Sequence, residues 1–288
     1  MAISRSIGGH FEERRSWAAS WSRRLAVFDL VLAAVAILAH RLQLIQTPPF
    51  FWVVGLVMVI AMLSLLLAAA GFQRVWYLGE RGGGDIALAI LICAVLMAPV
   101  AIGGWLAWTT PALSDISTDL GDPPRLTAAA AFRDSGMNPV APITPEQGAT
   151  QEKAYPAITG RRYEAPFEQI AGAVDGLMKL RGWEIVSPLP TGGEMEFTFE
   201  ALARLPILAL PYDVAVRITD EGNATYVDMR SSSRYGARDL GVNAQRITDF
   251  LVELDAQAAA LAGIAPPAET PEVEMPLTPP IPEDVPPQ

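Results

Sequence analysis

The sequence predicts an α+β protein in two parts: a three-helix transmembrane region, then a two-layer domain in which an antiparallel four-stranded sheet packs against two helices. Three observations carry this. Long apolar runs recur within the first 109 residues, apolar and polar residues alternate in short runs between 183 and 231, and apolar residues at helical spacing bracket those runs.

Composition divides the chain at the same place. Residues 1–109 hold eight Lys/Arg against five Asp/Glu, and residues 110–288 hold thirteen against twenty-six. The acidic half is a poor surface for nucleic acid, whose phosphates need clustered Lys and Arg. The one cysteine, Cys93, lies in an apolar run, and both histidines, His10 and His40, precede residue 41. The polar half therefore lacks the usual zinc ligands and the Ser-His and Cys-His catalytic pairs. No metal, no cofactor and no enzymatic activity are expected of it.

Three apolar segments, about 25–44, 50–72 and 86–109, each approach the ~20 residues that a helix needs to cross a hydrocarbon core. Trp17 and Trp21, Phe50 to Trp52, Trp76 and Tyr77, and Trp105 and Trp108 stand at their ends, where interfacial belts form. Arginines precede the first span (Arg5, Arg14, Arg15, Arg23, Arg24) and mark the second loop (Arg74, Arg81). The first loop has only Arg41, and none follows the third span until Arg125. The positive-inside rule puts residues 1–24 in the cytoplasm and the C-terminal half in the periplasm of a bacterium, as a multi-pass inner-membrane protein in contact with membrane lipid. Asp29 and His40 fall on one helix face about 16 Å apart, and a proton relay between them would need intermediates that the other spans do not offer. The turn "GERGGGD" (Gly79 to Asp85) lacks the strand, Lys and Ser/Thr of a phosphate loop and reads as a connector.

Residues 110–166 form an irregular lead-in, rich in Pro, Gly, Ala and Asp. Asp115, Asp119 and Asp122 do not have the spacing of a calcium loop, and Asx and Ser/Thr turns account for them. The soluble domain is 167–263. Phe167, Ile170, Val174, Leu177 and Met178 mark a helix ending near Gly182, and strands follow at 183–187, 194–203, 210–219 and 224–231. A second helix carries Ile247, Phe250, Leu251 and Leu254 on one side. The alternation suits a sheet with one face covered by both helices and one face wet. "LARLPILALPY" (Leu202 to Tyr212) is an unusually apolar connection, either folded inward or forming a rim against lipid or a partner. The Pro-rich acidic tail, 264–288, is expected to be disordered.

"RSSSRYGARDLGVNAQRI" (Arg230 to Ile247) has two readings. Arg230, Ser232, Arg234 and Arg238, with Asn243 and the backbone at the start of the last helix, are a candidate site for an anionic ligand. In the structural alternative Asn243 caps the helix, Asp239 favours its first turn, and the arginines pair with Glu196, Glu200, Asp213 or Asp228 on the wet sheet face. The serines lack a basic partner for nucleophilic work.

The blocks "DISTDLGDPP" (Asp115 to Pro124), "QEKAYP" (Gln151 to Pro156) and "VDMRSSSRYGARDLGVNAQRITDFL" (Val227 to Leu251) resemble the DUF1499 family over about 110–255. The three-span half is similar to the membrane region of proteobacterial members. The resemblance implies the domain boundaries and supplies no catalytic residues, because the family has no established biochemical function. The expected role is a non-enzymatic envelope interaction or scaffolding protein with other envelope proteins as partners. The alternative is a periplasmic module that binds an anionic small molecule or lipid headgroup.

Overall fold

A computed structural model describes residues 14–187, 193, 195–261 and 263. The expected acidic tail and residues 1–13 lie outside the described residues.

Three long helices come first: α1 (Trp17–Arg41), α2 (Thr47–Leu78) and α3 (Gly83–Thr109). α2 starts with prolines in its first turn, where no amide partner is lost, and stops at Gly79 in the left-handed conformation. α2 and α3 are long and apolar enough to cross a membrane. Their most apolar stretches are only 22% and 17% buried, so most of their apolar surface faces outward, as it does against lipid. α1 falls on the first expected span, about 25–44, but carries Arg23, Arg24, Asp29, His40 and Arg41, and among the described residues only α2 and α3 are apolar enough to cross. Small residues bring α1 and α2 together: a Cβ on Gly71 would stand 2.8 Å from the Ala19 nitrogen. Ser64 donates to the Ser22 carbonyl at 2.9 Å across the same contact.

The sheet has six strands where four are expected. Its path is β1-β6-β5-β4-β3, with β2 also paired to β6, and every pairing is antiparallel. The predicted strands appear as β3 (Glu184–Ile185), β4 (Glu196–Arg204), β5 (Pro211–Asp220) and β6 (Thr225–Ser233). The two additions, β1 (Asp115–Ser117) and β2 (Arg161–Tyr163), come from the lead-in, which also forms short helices α4 (Thr127–Ala130) and α5 (Pro145–Ala154). Runs of three residues are too short to show an alternation, so nothing local marks them as strands.

One face of the sheet is as expected. Phe199, Val214, Val216, Ile218, Val227 and Met229 pack under α6 (Phe167–Leu180) and α7 (Val242–Leu261). The other face is not wet. The lead-in crosses it, Leu126 and Ala129 pack against Ala215, and Glu200, Asp213, Asp228, Arg230 and Arg234 are all buried. The soluble part thus has a third layer, and the two-layer expectation is corrected. Alternation reports which side chains are polar, and polar side chains can still be buried where each finds a partner.

The apolar connection between β4 and β5 turns toward the bundle. Its Leu208 lines an apolar cavity of about 210 Å³ with Ile37, Phe50, Val54 and Pro99. The Leu208 carbonyl is 2.7 Å from His40 Nδ1, and Arg41 donates to the Pro206 carbonyl. Because a carbonyl only accepts, His40 donates to it through Nδ1, and its Nε2 lies within hydrogen-bond reach of the Thr47 hydroxyl at 3.0 Å. His40 is therefore engaged at both nitrogens, while Asp29 is buried in the bundle with neither carboxylate oxygen bonded. Among the described residues no chain of polar groups links the two.

Candidate functional site

The serines lie within β6 rather than after it. Side chains of successive strand residues point to opposite faces, so Ser231 and Ser233 face α7 while Arg230, Ser232 and Arg234 face the lead-in. Four of the candidate anion-binding residues, Arg230, Ser232, Arg234 and Asn243, are thereby split between two networks on opposite sides of the sheet, and Arg238 joins neither.

On the lead-in side the centre is Asp213, fully buried. Its Oδ1 accepts from Arg234 Nε at 2.9 Å and from the same guanidinium's second nitrogen at 2.7 Å, while Oδ2 accepts from Arg133 Nε at 2.6 Å. Arg133 also donates to the Ser232 hydroxyl at 3.0 Å. Beside them Arg230 grips Asp115 with two parallel bonds of 3.0 and 2.8 Å, a fork-to-fork geometry that lysine cannot make. Farther along, Arg217 donates to Asp119, Asp122 and Asp228 at 2.8 to 3.0 Å. Burial works against the Arg217 charge, but the carboxylates outweigh it, so the guanidinium holds its proton more tightly than usual. Asp119 also accepts from the amides of Gly121 and Asp122, the Asx turn that the sequence implies. Glu200 is spent on the start of α4, accepting from the amides of Ala128 and Ala129.

On the helix side Asn243, fully buried, joins four groups. Its amide nitrogen donates to the Ser233 hydroxyl and the Ser114 carbonyl, both at 3.0 Å. Its oxygen accepts from Ser231 at 2.7 Å and from Arg246 at 3.1 Å. Asn243 lies inside α7, so it is not the cap. Asp239 takes that place, accepting from the amides of Asn243 at 2.6 Å and Gly241 at 3.1 Å. Gly236 and Gly241 take positive φ in the connection, as does Leu240. Arg246 stacks 4.2 Å above the Tyr212 ring and donates to Ser231 at 3.0 Å. Burial pushes the Arg246 guanidinium down to about 10. Arg238 leaves the domain, donating to the Ala107 and Thr110 carbonyls at 2.7 and 3.0 Å. It satisfies the C-terminal end of α3, where a cation is favoured.

Burial raises the Asp239 carboxyl above its usual value of 3.8. Its native state therefore holds a proton more tightly than its unfolded state, and its contribution to stability falls as pH rises through that window. Asp239→Asn keeps a cap oxygen and cannot titrate. Urea unfolding between about pH 4 and pH 7 is expected to show the wild type losing stability relative to the variant as pH rises. A difference that grows in the opposite direction would show that the carboxylate form is the stabilising one.

The three blocks on which the family resemblance rests meet in space. Asp115 of the first pairs with Arg230 of the third. Thr118 of the first donates to Asp228 at 2.8 Å and accepts from the Met229 amide. Gln151 of the second makes two bonds to the Ser117 backbone, at 3.1 and 2.6 Å. Residues 115–254 match the family model DUF1499, described as a protein of unknown function. This is the DUF1499 segment of the chain. A search of curated proteins finds no match to it.

The DUF1499 segment therefore uses its signature residues first to hold its own layers together. Sequence reasoning missed Arg133, Gln151 and Arg246 in these networks. Arg133 and Gln151 lie in stretches without periodicity, but Arg246 stands three residues after Asn243 and four before Phe250, on the buried side of α7. Between the first two blocks the segment leaves an open recess of about 640 Å³, lined by Thr118, Leu120, Gln151, Tyr155, Ile158 and Tyr226.

Proposed function

We propose that this protein is a non-enzymatic interaction or scaffolding component of a bacterial envelope, with its bundle in the inner membrane, its N-terminus cytoplasmic and its DUF1499 segment in the periplasm. One observation carries the reading. The segment is fastened to one end of the bundle at two separate places, through Arg238 to the end of α3 and through residues 206–208 to His40 and Arg41. A domain held at two points presents its outer surface in a fixed orientation, which suits docking of a partner. Arg230 and Arg234 are ion-paired internally, so capture of an anion there would require breaking buried pairs. The recess between the signature blocks is the surface we assign to a partner envelope protein.

Mild crosslinking of the full chain in cells, followed by purification, tests this. Wild type is expected to retain specific envelope proteins, and Glu152→Lys, which reverses an exposed charge on the rim of the recess, is expected to lose them. Hydrolysis of an ester or phosphate substrate that Ser232→Ala abolishes would instead make the protein an enzyme.

A further inference from the structure

We propose, on the membrane reading of the helices, that the apolar cavity beside Leu208 holds one hydrocarbon chain of a bilayer lipid. This site is separate from the partner recess in the DUF1499 segment. All three long helices and the soluble segment build it. Ala33 and Ala36 of α1 and Phe50 and Val57 of α2 form its buried side, and Leu208 joins them from the connection between β4 and β5. Phe51, Pro99 and Val100 also line it and are exposed, so it opens outward between α2 and α3. Two features of the sequence leave the space. α1 supplies alanines where larger residues would fill it, and Pro99 interrupts the hydrogen-bond ladder inside α3, as prolines that bend a helix do.

Size, chemistry and position select the occupant. The cavity measures about 210 Å³, and among the described residues none that lines it has a polar side chain. An apolar cavity of about 150 Å³ is already large enough to take up benzene, and it stays dry because water finds no hydrogen-bond partners there. Left empty, such a space deprives its wall atoms of dispersion contacts on one side. Inside a bilayer it is this packing, rather than exclusion of water, that favours filling it. The opening lies in the surface that α2 and α3 turn outward, so the material in reach is hydrocarbon.

Leu208 is held in place on both sides. Ala209, next to it, takes a φ of 53°, a left-handed conformation that costs alanine energy, and its amide donates to the Leu205 carbonyl at 2.9 Å. The Leu208 carbonyl is bonded to His40, whose ring stacks on Phe50 with centroids 4.4 Å apart. Phe50 is itself a wall of the cavity. A chain lying against Phe50 and Leu208 therefore braces one of the two fastenings between the bundle and the soluble segment. The apolar connection "LARLPILALPY" thereby gains a reason for its composition.

The test uses the full chain in vesicles of phosphatidylethanolamine and phosphatidylglycerol, doped with phosphatidylcholine that carries a diazirine midway along one acyl chain. Labelled residues are read by mass spectrometry after illumination. Phe50, Val54 and Met58 are expected to take severalfold more label than Leu56 and Leu63, which are exposed on the same helix. Ala36→Leu, which fills the cavity, is expected to keep its melting temperature and remove that excess. Val54→Phe fills the same space from α2 and is expected to remove the excess at Phe50 and Met58, while Ala34→Leu, on the exposed side of α1, leaves it unchanged. Equal labelling of the two sets of residues, or an undiminished excess in both filled variants, would overturn the chain site and leave the membrane reading standing. Absence of label from all five residues would overturn both. Excess labelling by a free fatty acid with the same diazirine, and none by the phospholipid, would overturn the assignment to a bilayer lipid.

Discussion

Asp213→Asn is expected to cost about 3–5 kcal/mol of stability, because it leaves the buried guanidinium groups of Arg133 and Arg234 facing a neutral amide. For a domain of this size the melting temperature should fall by about 10 °C. Arg133 follows α4 in the lead-in, so the layer over the sheet should loosen first, and amide exchange across 126–141 should quicken before the rest of the domain responds. Asp122→Asn is the comparison. It removes a carboxylate from Arg217 whose side chain is 75% exposed, and a pair open to solvent contributes about 1 kcal/mol or less. Equal losses in the two variants, measured by urea unfolding of the full chain, would show that burial of the Asp213 network is not what stabilises the domain.

Asn243→Leu is expected to cost about 2–4 kcal/mol, since it strands a carbonyl, two hydroxyls and a guanidinium in the core at once. Asn243→Asp should cost less. It restores an acceptor for Ser231 and gives Arg246 a carboxylate, while losing the two bonds that the amide nitrogen donates. An anion site built on Asn243 requires another pattern, in which the aspartate variant folds normally and repels its ligand. Thermal unfolding of the two variants, with and without phosphate, separates these outcomes: a smaller loss in the aspartate variant, indifferent to phosphate, supports a structural Asn243.

Much of the fold was legible because its signals are periodic. The alternation around Phe197, Phe199, Val214 and Val216 marks β4 and β5, and the spacing of Phe167, Ile170 and Val174 marks α6. The apolar lengths of α2 and α3 are equally plain. The boundary of β6 was misplaced because "SSS" has neither the apolar alternation nor the β-branched residues of a strand. Its serines are nonetheless paired through the backbone to β5 and β1, in register with Tyr212 to Val214 and with Asp115 and Ile116. The fold was recovered from local pattern except in the lead-in, where β1 and β2 are too short to make one and the ten-residue α5 has no apolar stripe.

The candidate site was legible in its membership and not in its arrangement. Arg230, Ser232, Arg234, Arg238 and Asn243 all prove to have defined partners, but they serve three different contacts: the lead-in, the end of α3 and the core beneath α7. A charge-rich block announces that partners are needed without saying where they come from. Here an acidic block near residue 115 answers a basic one near residue 230, a complementarity visible only once the two are known to meet.

Which segments cross apolar surroundings, which form helix or strand, and which face of each strand is apolar follow from the order of residues alone, because these depend on neighbours within a few positions. Which polar face is buried, which arginine meets which aspartate, and where the domain grips the bundle depend on pairs separated by 115 residues for Arg230 and Asp115, 80 for Arg133 and Asp213, and 131 for Arg238 and Ala107. Contacts at that separation form only when the whole chain has packed, since packing is what brings the charges together and removes the water that would otherwise satisfy them.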